Sequence, residues 1–91
     1  WTLAAASRLI GRGVRINCTM PGAVQTPMLE VIEQVTPSAA IDAIAQPIGR
    51  RSNADEQATC LLILGSPRAS YVNGAVLPVD GGFMSAMALR P

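Results

Sequence analysis

The residues best placed to do chemistry lie around one strand end and the helix that follows it. Pro21-Gly22 ends an alternating apolar segment, and Thr26 precedes Pro27 at the start of a helical pattern. In an open α/β sheet, ligands bind outside the carboxyl ends of the strands, where a glycine lets the backbone approach a ligand closely. A helix start adds free N–H groups that suit a phosphate. This spacing predicts a shelf for a dinucleotide, although Pro-Gly alone is also an ordinary turn and Thr-Pro alone an ordinary helix start.

Other kinds of site are excluded by residue types that the sequence lacks. None of the 91 residues is His or Lys, which excludes a Ser-His-Asp triad, a histidine metal ligand and a lysine-assisted tyrosine within this chain. Tyr71 is followed four residues later by Ala75 rather than Lys, so we interpret Tyr71 as a packing residue. Asp80-Gly81-Gly82 lacks the further acids of a calcium loop. We predict no catalytic residue and no metal ligand here.

Four helical segments are predicted around these residues. Residues 1–12 form the first helix, and its abrupt start leads us to expect that it extends upstream. A second helix begins at Thr26, and a short one covers residues 38–46. The last is capped by Asn53, with Glu56 completing a capping-box pattern. The predicted apolar stripes are Met28, Val31, Ile32 and Val35 on the second helix, and Ala58, Leu61, Leu62 and Gly65 on the last.

Two strands are predicted, at residues 14–20 and 74–80. Pro78 cannot donate a ladder hydrogen bond, so the second strand should lie at a sheet edge. A strand, a helical crossover and a second strand form a parallel βαβ unit. Two parallel strands cannot cover their own faces, so the first strand needs a neighbour that this sequence does not supply.

The composition is unusually poor in charge. Apolar residues make up 49% of the chain and charged residues 14%, against roughly 25% charged in an ordinary soluble domain. No apolar run approaches the roughly 20 residues of a membrane span, and no clustered basic face indicates nucleic acid. We therefore expect subunit contacts or further chain to cover the surface, and we interpret Arg50-Arg51 as a solvated or interface pair. Cys18 and Cys60 are expected to be buried reduced thiols, which favours a cytoplasmic location.

Three groups of residues together resemble the C-terminal portion of the short-chain dehydrogenase/reductase family. The matching segments are residues 13–17 (Gly-Val-Arg-Ile-Asn) with 21–28 (Pro-Gly-Ala-Val-Gln-Thr-Pro-Met), 47–50 (Pro-Ile-Gly-Arg) with 53–56 (Asn-Ala-Asp-Glu), and 70–74 (Ser-Tyr-Val-Asn-Gly) with 80–82 (Asp-Gly-Gly). The resemblance implies an α/β fold: the last two strands, with their helical crossover, of a Rossmann-type doubly wound parallel sheet. Residues 1–91 would be the C-terminal fragment of a single dinucleotide-binding domain. The tail after Gly82, with Arg50-Arg51, looks like the bacterial hydroxysteroid dehydrogenase/carbonyl reductase branch.

The resemblance also implies a cofactor site for NAD or NADP. Pro21, Gly22 and Val24 would line the nicotinamide side, with the Val24 backbone facing the carboxamide. Thr26 would offer its hydroxyl to the carboxamide or pyrophosphate, and Met28 would belong to a mobile substrate lid. Asn17 would be structural, and its side-chain amide would satisfy backbone groups at the strand end.

The implied function is hydride transfer between a nicotinamide cofactor and a small-molecule alcohol or ketone. The family's glycine-rich loop, catalytic Ser and Tyr-x-x-x-Lys pair have no counterpart here, so they are expected upstream and this chain alone is expected to be inactive. The family is usually dimeric or tetrameric, so we expect a homo-oligomer or association with an N-terminal portion. Two alternatives stay open: a non-catalytic packing or dimerisation module, and a free-standing phosphate- or nucleotide-binding fragment.

Overall fold

A computed structural model of the chain describes residues 1–89. Its elements in chain order are α1 (Thr2–Leu9) with a 3₁₀ turn (Ile10–Arg12), β1 (Cys18–Pro21), α2 (Pro27–Glu33), α3 (Ser38–Ala43), α4 (Ala54–Leu64) with a 3₁₀ turn (Pro67–Ala69), β2 (Val76–Val79) and α5 (Phe83–Ala88). The order matches the prediction except for α5, since no helix or strand was predicted after Gly82.

The two strands form a parallel sheet, as predicted. Cys18 pairs with Val76, and the register runs on to Pro21 opposite Val79. Both strands are shorter than predicted. Ahead of each strand, hydrogen bonds from a side chain take the place of backbone hydrogen bonds between the strands. The Asn17 amide donates to Val72 O at 3.0 Å and its carbonyl accepts from Ala75 N at 2.8 Å. The structural role predicted for Asn17 is confirmed.

Local capping signals set the helix boundaries. Thr26 is the N-cap of α2, with its hydroxyl oxygen 3.3 Å from Leu29 N. Asn53 and Glu56 form a complete capping box at α4, where each side chain accepts from the other residue's backbone N–H. Gly13 closes the turn after α1 in the left-handed conformation, at φ 75°, which glycine adopts without a Cβ clash.

The faces that these helices cover differ from the predicted stripes. On α4 the partly covered positions include Gln57, Cys60 and Leu64, whereas Leu61 and Leu62 are 55% and 73% exposed. The α2 stripe is exposed as well, and the residue that packs is Leu29, against a small cluster of Ala23, Ile41 and Ala45. The periodic residues other than Val35 and Gly65, which follow the helices, were therefore placed on the correct elements, but not on the covered faces.

Residues 1–89 bury little apolar surface. Apart from Ile41, the buried hydrophobic residues are all alanines. The accessible surface is 6564 Å², against about 5,000 Å² for a compact monomer of this mass. The radius of gyration is 15.6 Å, against about 12 Å for a compact chain of this length. Tyr71, predicted to pack, is fully exposed to solvent, so no contact within the described chain covers it.

Two smaller expectations concern membranes and thiols. None of the helices within residues 1–89 has the length and apolar character needed to cross a membrane. Cys18 and Cys60 are free, as predicted, although both are only partly buried.

Candidate functional site

The carboxyl end of β1 is held tightly against the end of β2. Gly22 N donates to Val79 O at 3.1 Å. A Cβ on Gly22 would lie 2.9 Å from the Asp80 Cα, a separation that side chains do not tolerate. Gly22 was predicted to let the backbone approach a ligand. The structure gives another reason for the glycine, because the chain after β1 lies too close to Asp80 for any side chain at this position.

After Gly22 the chain forms a short parallel bridge with the loop that precedes α4. Val24 lies opposite Ser52. Ser52 N donates to Ala23 O at 2.9 Å, and Gln25 N donates to Ser52 O at 2.8 Å. Successive peptide groups of extended backbone point to opposite sides, so the N–H and C=O of Val24 point away from Ser52. Among residues 1–89 these two groups have no hydrogen-bond partner, and they can bind a planar amide edge to edge.

A side-chain network fixes Ser52 in place. Its hydroxyl donates to Ala23 O at 3.1 Å and accepts from the Gln57 amide at 3.1 Å. Gln57 also donates to Val79 O at 2.9 Å, which ties the bridge to the end of β2. The Gln57 carbonyl oxygen is buried and has no partner within residues 1–89. The loop that carries Val24 is thus braced from α4 and from the sheet.

The remaining predicted site residues lie along the same loop. Thr26 is partly buried, and its oxygen accepts the Leu29 N–H, which leaves the hydroxyl proton free to donate. Pro21 and Met28 are exposed, Met28 at 74%. Helix α2 has only seven residues, so its dipole offers a phosphate less than the sequence suggested. The groups in this loop that are free to bind a ligand are therefore the backbone N–H and C=O of Val24 and the hydroxyl of Thr26.

Arg51 connects this loop to both short helices. Its guanidinium donates to the Gln25 side chain at 2.9 Å and to Asp42 on α3 at 2.9 Å, and it pairs with Glu33 on α2. The Arg51 side chain is only 15% exposed. Arg50-Arg51 was interpreted as a solvated or interface pair, and the solvated alternative does not apply to Arg51, because its partners lie within the chain.

Arg50 fits the predicted solvated role. It is exposed and forms a two-pronged ion pair with Glu56, at 2.9 and 2.8 Å. The Arg50 hydrogen bonds, with the Asn53 N–H next in importance, lower the pKa of Glu56 from 4.5 to about 2. The pair reinforces the α4 capping box.

A cavity of about 380 Å³ lies beside the bridge. Its lining is shared by the loop after β1, the loop before α4, the end of β2 and the start of α5, and includes Ala23, Ser52, Val79, Asp80 and Ser85. None of the five predicted cofactor residues lines it. The described part of the chain, residues 1–89, also holds no group of three metal-ligating side chains.

Sequence reasoning missed Ser52 and Arg51. Their roles depend in large part on distant partners, Gln25 and Glu33 for Arg51 and Ala23 for Ser52, which lie 18 to 29 residues away in the chain and which periodicity does not show. The available signal was charge: Glu33 and Asp42 are acids on two short helices that contain no basic residue, and such acids favour a nearby arginine.

The parallel strands, helical crossover and open loop at their carboxyl end define an α/β fold of Rossmann type. The family model described as enoyl-(acyl carrier protein) reductase matches residues 1–84. The chain is 38% identical over 79 residues to 3-oxoacyl-(acyl-carrier-protein) reductase of Thermotoga maritima, covering 87% of this chain and 31% of that protein. It is 40% identical over 76 residues to 3-alpha-hydroxysteroid dehydrogenase/carbonyl reductase of Comamonas testosteroni, covering 82% and 30%.

Solved structures agree with these sequence matches. The 3-alpha-hydroxysteroid dehydrogenase of Pseudomonas sp. B-0831, solved with NADH, has a TM-score of 0.85 and 35% identity over 99% of this chain and 36% of that chain. A structure from Agrobacterium tumefaciens with bound NADP has a TM-score of 0.82 and 30% identity, covering 92% and 34%. The chain belongs to the short-chain dehydrogenase/reductase family, and it spans about a third of the length of these relatives.

Proposed function

We propose that this chain is the C-terminal portion of an oxidoreductase that transfers hydride between NAD or NADP and a small alcohol or ketone. The observation that carries the proposal is the Val24–Ser52 bridge. It leaves the Val24 N–H and C=O open at the carboxyl end of a parallel strand, where α/β folds bind their ligands. Relatives that match most of this chain are named dehydrogenases and reductases.

The geometry of the loop fits a nicotinamide carboxamide. A primary amide has one acceptor oxygen and an NH₂ donor, which complement the free N–H and C=O of Val24. The Thr26 hydroxyl retains a proton to donate to the carboxamide or pyrophosphate. Pro21 and Gly22 would lie along the nicotinamide side, and Met28 on the exposed α2 would contact the substrate. The bound cofactor would supply or accept the hydride, and this chain's own residues would orient it.

The catalytic Ser, Tyr and Lys belong, in this proposal, to residues outside 1–91. Residues 1–91 would form the last part of one dinucleotide-binding domain, completed by chain that pairs with the open edge of β1. The excess of accessible surface and the small alanine-rich core support this. The free thiols of Cys18 and Cys60 fit a reducing cytoplasm.

An oligomer is the second part of the proposal. Leu61, Leu62 and Ile63 on α4 are 55%, 73% and 55% exposed, and Val76 and Leu77 on β2 are 42% and 39% exposed. Apolar side chains exposed together mark protein interfaces, and those on α4 are the candidates here. They also suit the alternative of a non-catalytic dimerisation module. Light scattering on the complete protein tests the proposed oligomer. A dimer or tetramer is expected, and a monodisperse monomer would contradict the proposal.

The test of the main proposal is cofactor binding and turnover by the complete protein. Nicotinamide fluorescence is followed while NADH and NADPH are titrated, and a panel of secondary alcohols is then offered with NAD and NADP. Saturable binding of one reduced cofactor, with alcohol-dependent formation of reduced nicotinamide, is the expected result. Binding of neither would contradict the proposed function. Binding without turnover of any alcohol or matching ketone would favour the non-catalytic alternative.

A further inference from the structure

Arg51 joins three segments of the chain. It contacts Gln25 in the loop after β1, Glu33 at the end of α2 and Asp42 in α3. Helices α2 and α3 have seven and six residues, too few to be stable alone in water. Their apolar anchorage is the small cluster of Ala23, Ile41 and Ala45 with Leu29. Polar contacts therefore contribute much of what holds α2 and α3 in place.

The chemistry at this position requires arginine rather than any cation. The Nε atom donates to Asp42 while Nη1 serves both Gln25 and Glu33. A guanidinium holds donors in a fixed planar fork, whereas a lysine ammonium is a single point charge on a flexible stem. Removing the guanidinium would also leave Glu33 and Asp42 as two carboxylates without the cation between them. Their repulsion would then act against the closed arrangement.

Arg51 is also next to the bridge that orients Val24. Ser52, its neighbour in the chain, makes both backbone hydrogen bonds of that bridge, and Gln25 is the residue after Val24. One guanidinium therefore sets the position of the α2–α3 segment relative to the open Val24 backbone groups.

We propose that Arg51 is a positioning residue that holds the α2–α3 segment in its binding-competent place and thereby sets the affinity for the nicotinamide half of the cofactor. The inference rests on the proposed function for its ligand, and on the Arg51 contacts for its mechanism. When the competent arrangement is populated only in part, the apparent dissociation constant rises in proportion. ADP-ribose has no nicotinamide ring, so its affinity should not depend on this segment.

The experiment compares Arg51→Gln with Arg50→Gln in the complete protein. Arg50 is the matched control, because it is the adjacent arginine and its ion pair with Glu56 is exposed. Dissociation constants are measured for NADH, or NADPH if that is the one bound, and for ADP-ribose. Amide hydrogen exchange over residues 27–43 is measured without cofactor. Arg51→Lys is included because it keeps the charge and lacks the fork.

The expected result for Arg51→Gln is a rise of about tenfold in the dissociation constant of the reduced cofactor, with ADP-ribose unchanged. Exchange over residues 27–43 should be about tenfold faster, Arg51→Lys should be intermediate, and Arg50→Gln should match the wild type. Equal weakening of both ligands, or exchange unchanged in Arg51→Gln and Arg51→Lys, would overturn the proposal. If the wild type binds neither reduced cofactor, the proposed function fails, and the exchange data still decide whether Arg51 positions the segment.

Discussion

Gly22 and Asp80 lie in such close contact that no side chain fits between them. A Cβ at Gly22 would lie 2.9 Å from the Asp80 Cα and 3.0 Å from the Asp80 Cβ. The contact fixes the loop after β1 against the end of β2, directly before Val24.

Replacing Gly22 by Ala should therefore destabilise the complete protein by about 1–3 kcal/mol, the usual cost of overpacking a rigid contact. Urea unfolding measures the change. Gly11→Ala is the matched control, because a Cβ there meets nothing within 4 Å. Equal stability of the two variants would show that Asp80 moves aside freely.

The backbone N–H of Val24 can be tested without touching the bridge. The bridge bonds use Ala23 O and Gln25 N, so Val24→Pro removes a donor that takes no part in the bridge. The proline ring also fixes φ at residue 24 and restricts Ala23 to extended backbone, so the fold of this variant is checked separately. Loss of one hydrogen bond to the cofactor, worth about 1 kcal/mol, should raise the dissociation constant of the reduced cofactor about fivefold.

Val24→Ala controls for loss of the side chain and should bind the reduced cofactor as the wild type does. A thermal melt confirms that Val24→Pro is folded. Unchanged affinity in folded Val24→Pro would remove the Val24 N–H from the cofactor site.

The sequence predicted those features of the fold that depend on neighbouring residues. The Thr26 cap and the Asn53–Glu56 capping box are confirmed, because each acts on backbone three residues away. The Asn17 amide is confirmed as well, although its partners Val72 and Ala75 are distant in the chain, because the family resemblance rather than a local pattern predicted its role. The packed face of α4 was wrong. Apolar residues occupy more than one side of that helix, and only the sheet determines that Cys60 and Leu64, rather than Leu61 and Leu62, are covered.

The candidate site was likewise predicted only in part. The loop residues Pro21 to Met28 were singled out from their spacing and from the family resemblance. Ser52 and Arg51 were missed, because each becomes informative only when the loop before α4 is brought beside the loop after β1. Such pairing over more than twenty residues leaves no periodic trace in one sequence.

Arg15 should be a strong determinant of stability, although it pairs with no acid among residues 1–89. Its guanidinium donates to Leu64 O and Val72 O at 3.0 Å and to Ser66 O at 3.3 Å. It thereby joins the end of α4 to the segment before β2. Because hydrogen bonds from charged groups contribute about 1.5–3 kcal/mol, Arg15→Ala should lower the free energy of unfolding by about that amount.

Chemical denaturation of the complete protein measures this change. Arg12→Ala is the control, since Arg12 is exposed and its loss should change stability by under about 0.5 kcal/mol. Similar values for the two variants would mean that water replaces the Arg15 contacts without cost.

Glu56 gives the stability a dependence on pH in the acid range. Its hydrogen bonds from Arg50 and the Asn53 N–H lower its pKa in the folded protein from 4.5 to about 2. The unfolded chain then binds more protons between these two values, so stability falls as the pH is lowered through them. The contribution is complete above pH 4.5 and absent below about 2. It should be small and weakened by salt, because the pair is exposed to solvent.

The thermal unfolding midpoints of the wild type and of Glu56→Gln are measured at pH values between about 2 and 4.5, at low and at high salt. The glutamine variant keeps the side-chain acceptor but cannot titrate, so the difference between the two proteins should shrink as the pH falls. Asp55→Asn is a matched control for the loss of one negative charge in the same first turn of α4. A constant difference between Glu56→Gln and the wild type across the range would show that the Glu56 carboxylate has the same pKa in the folded and unfolded protein.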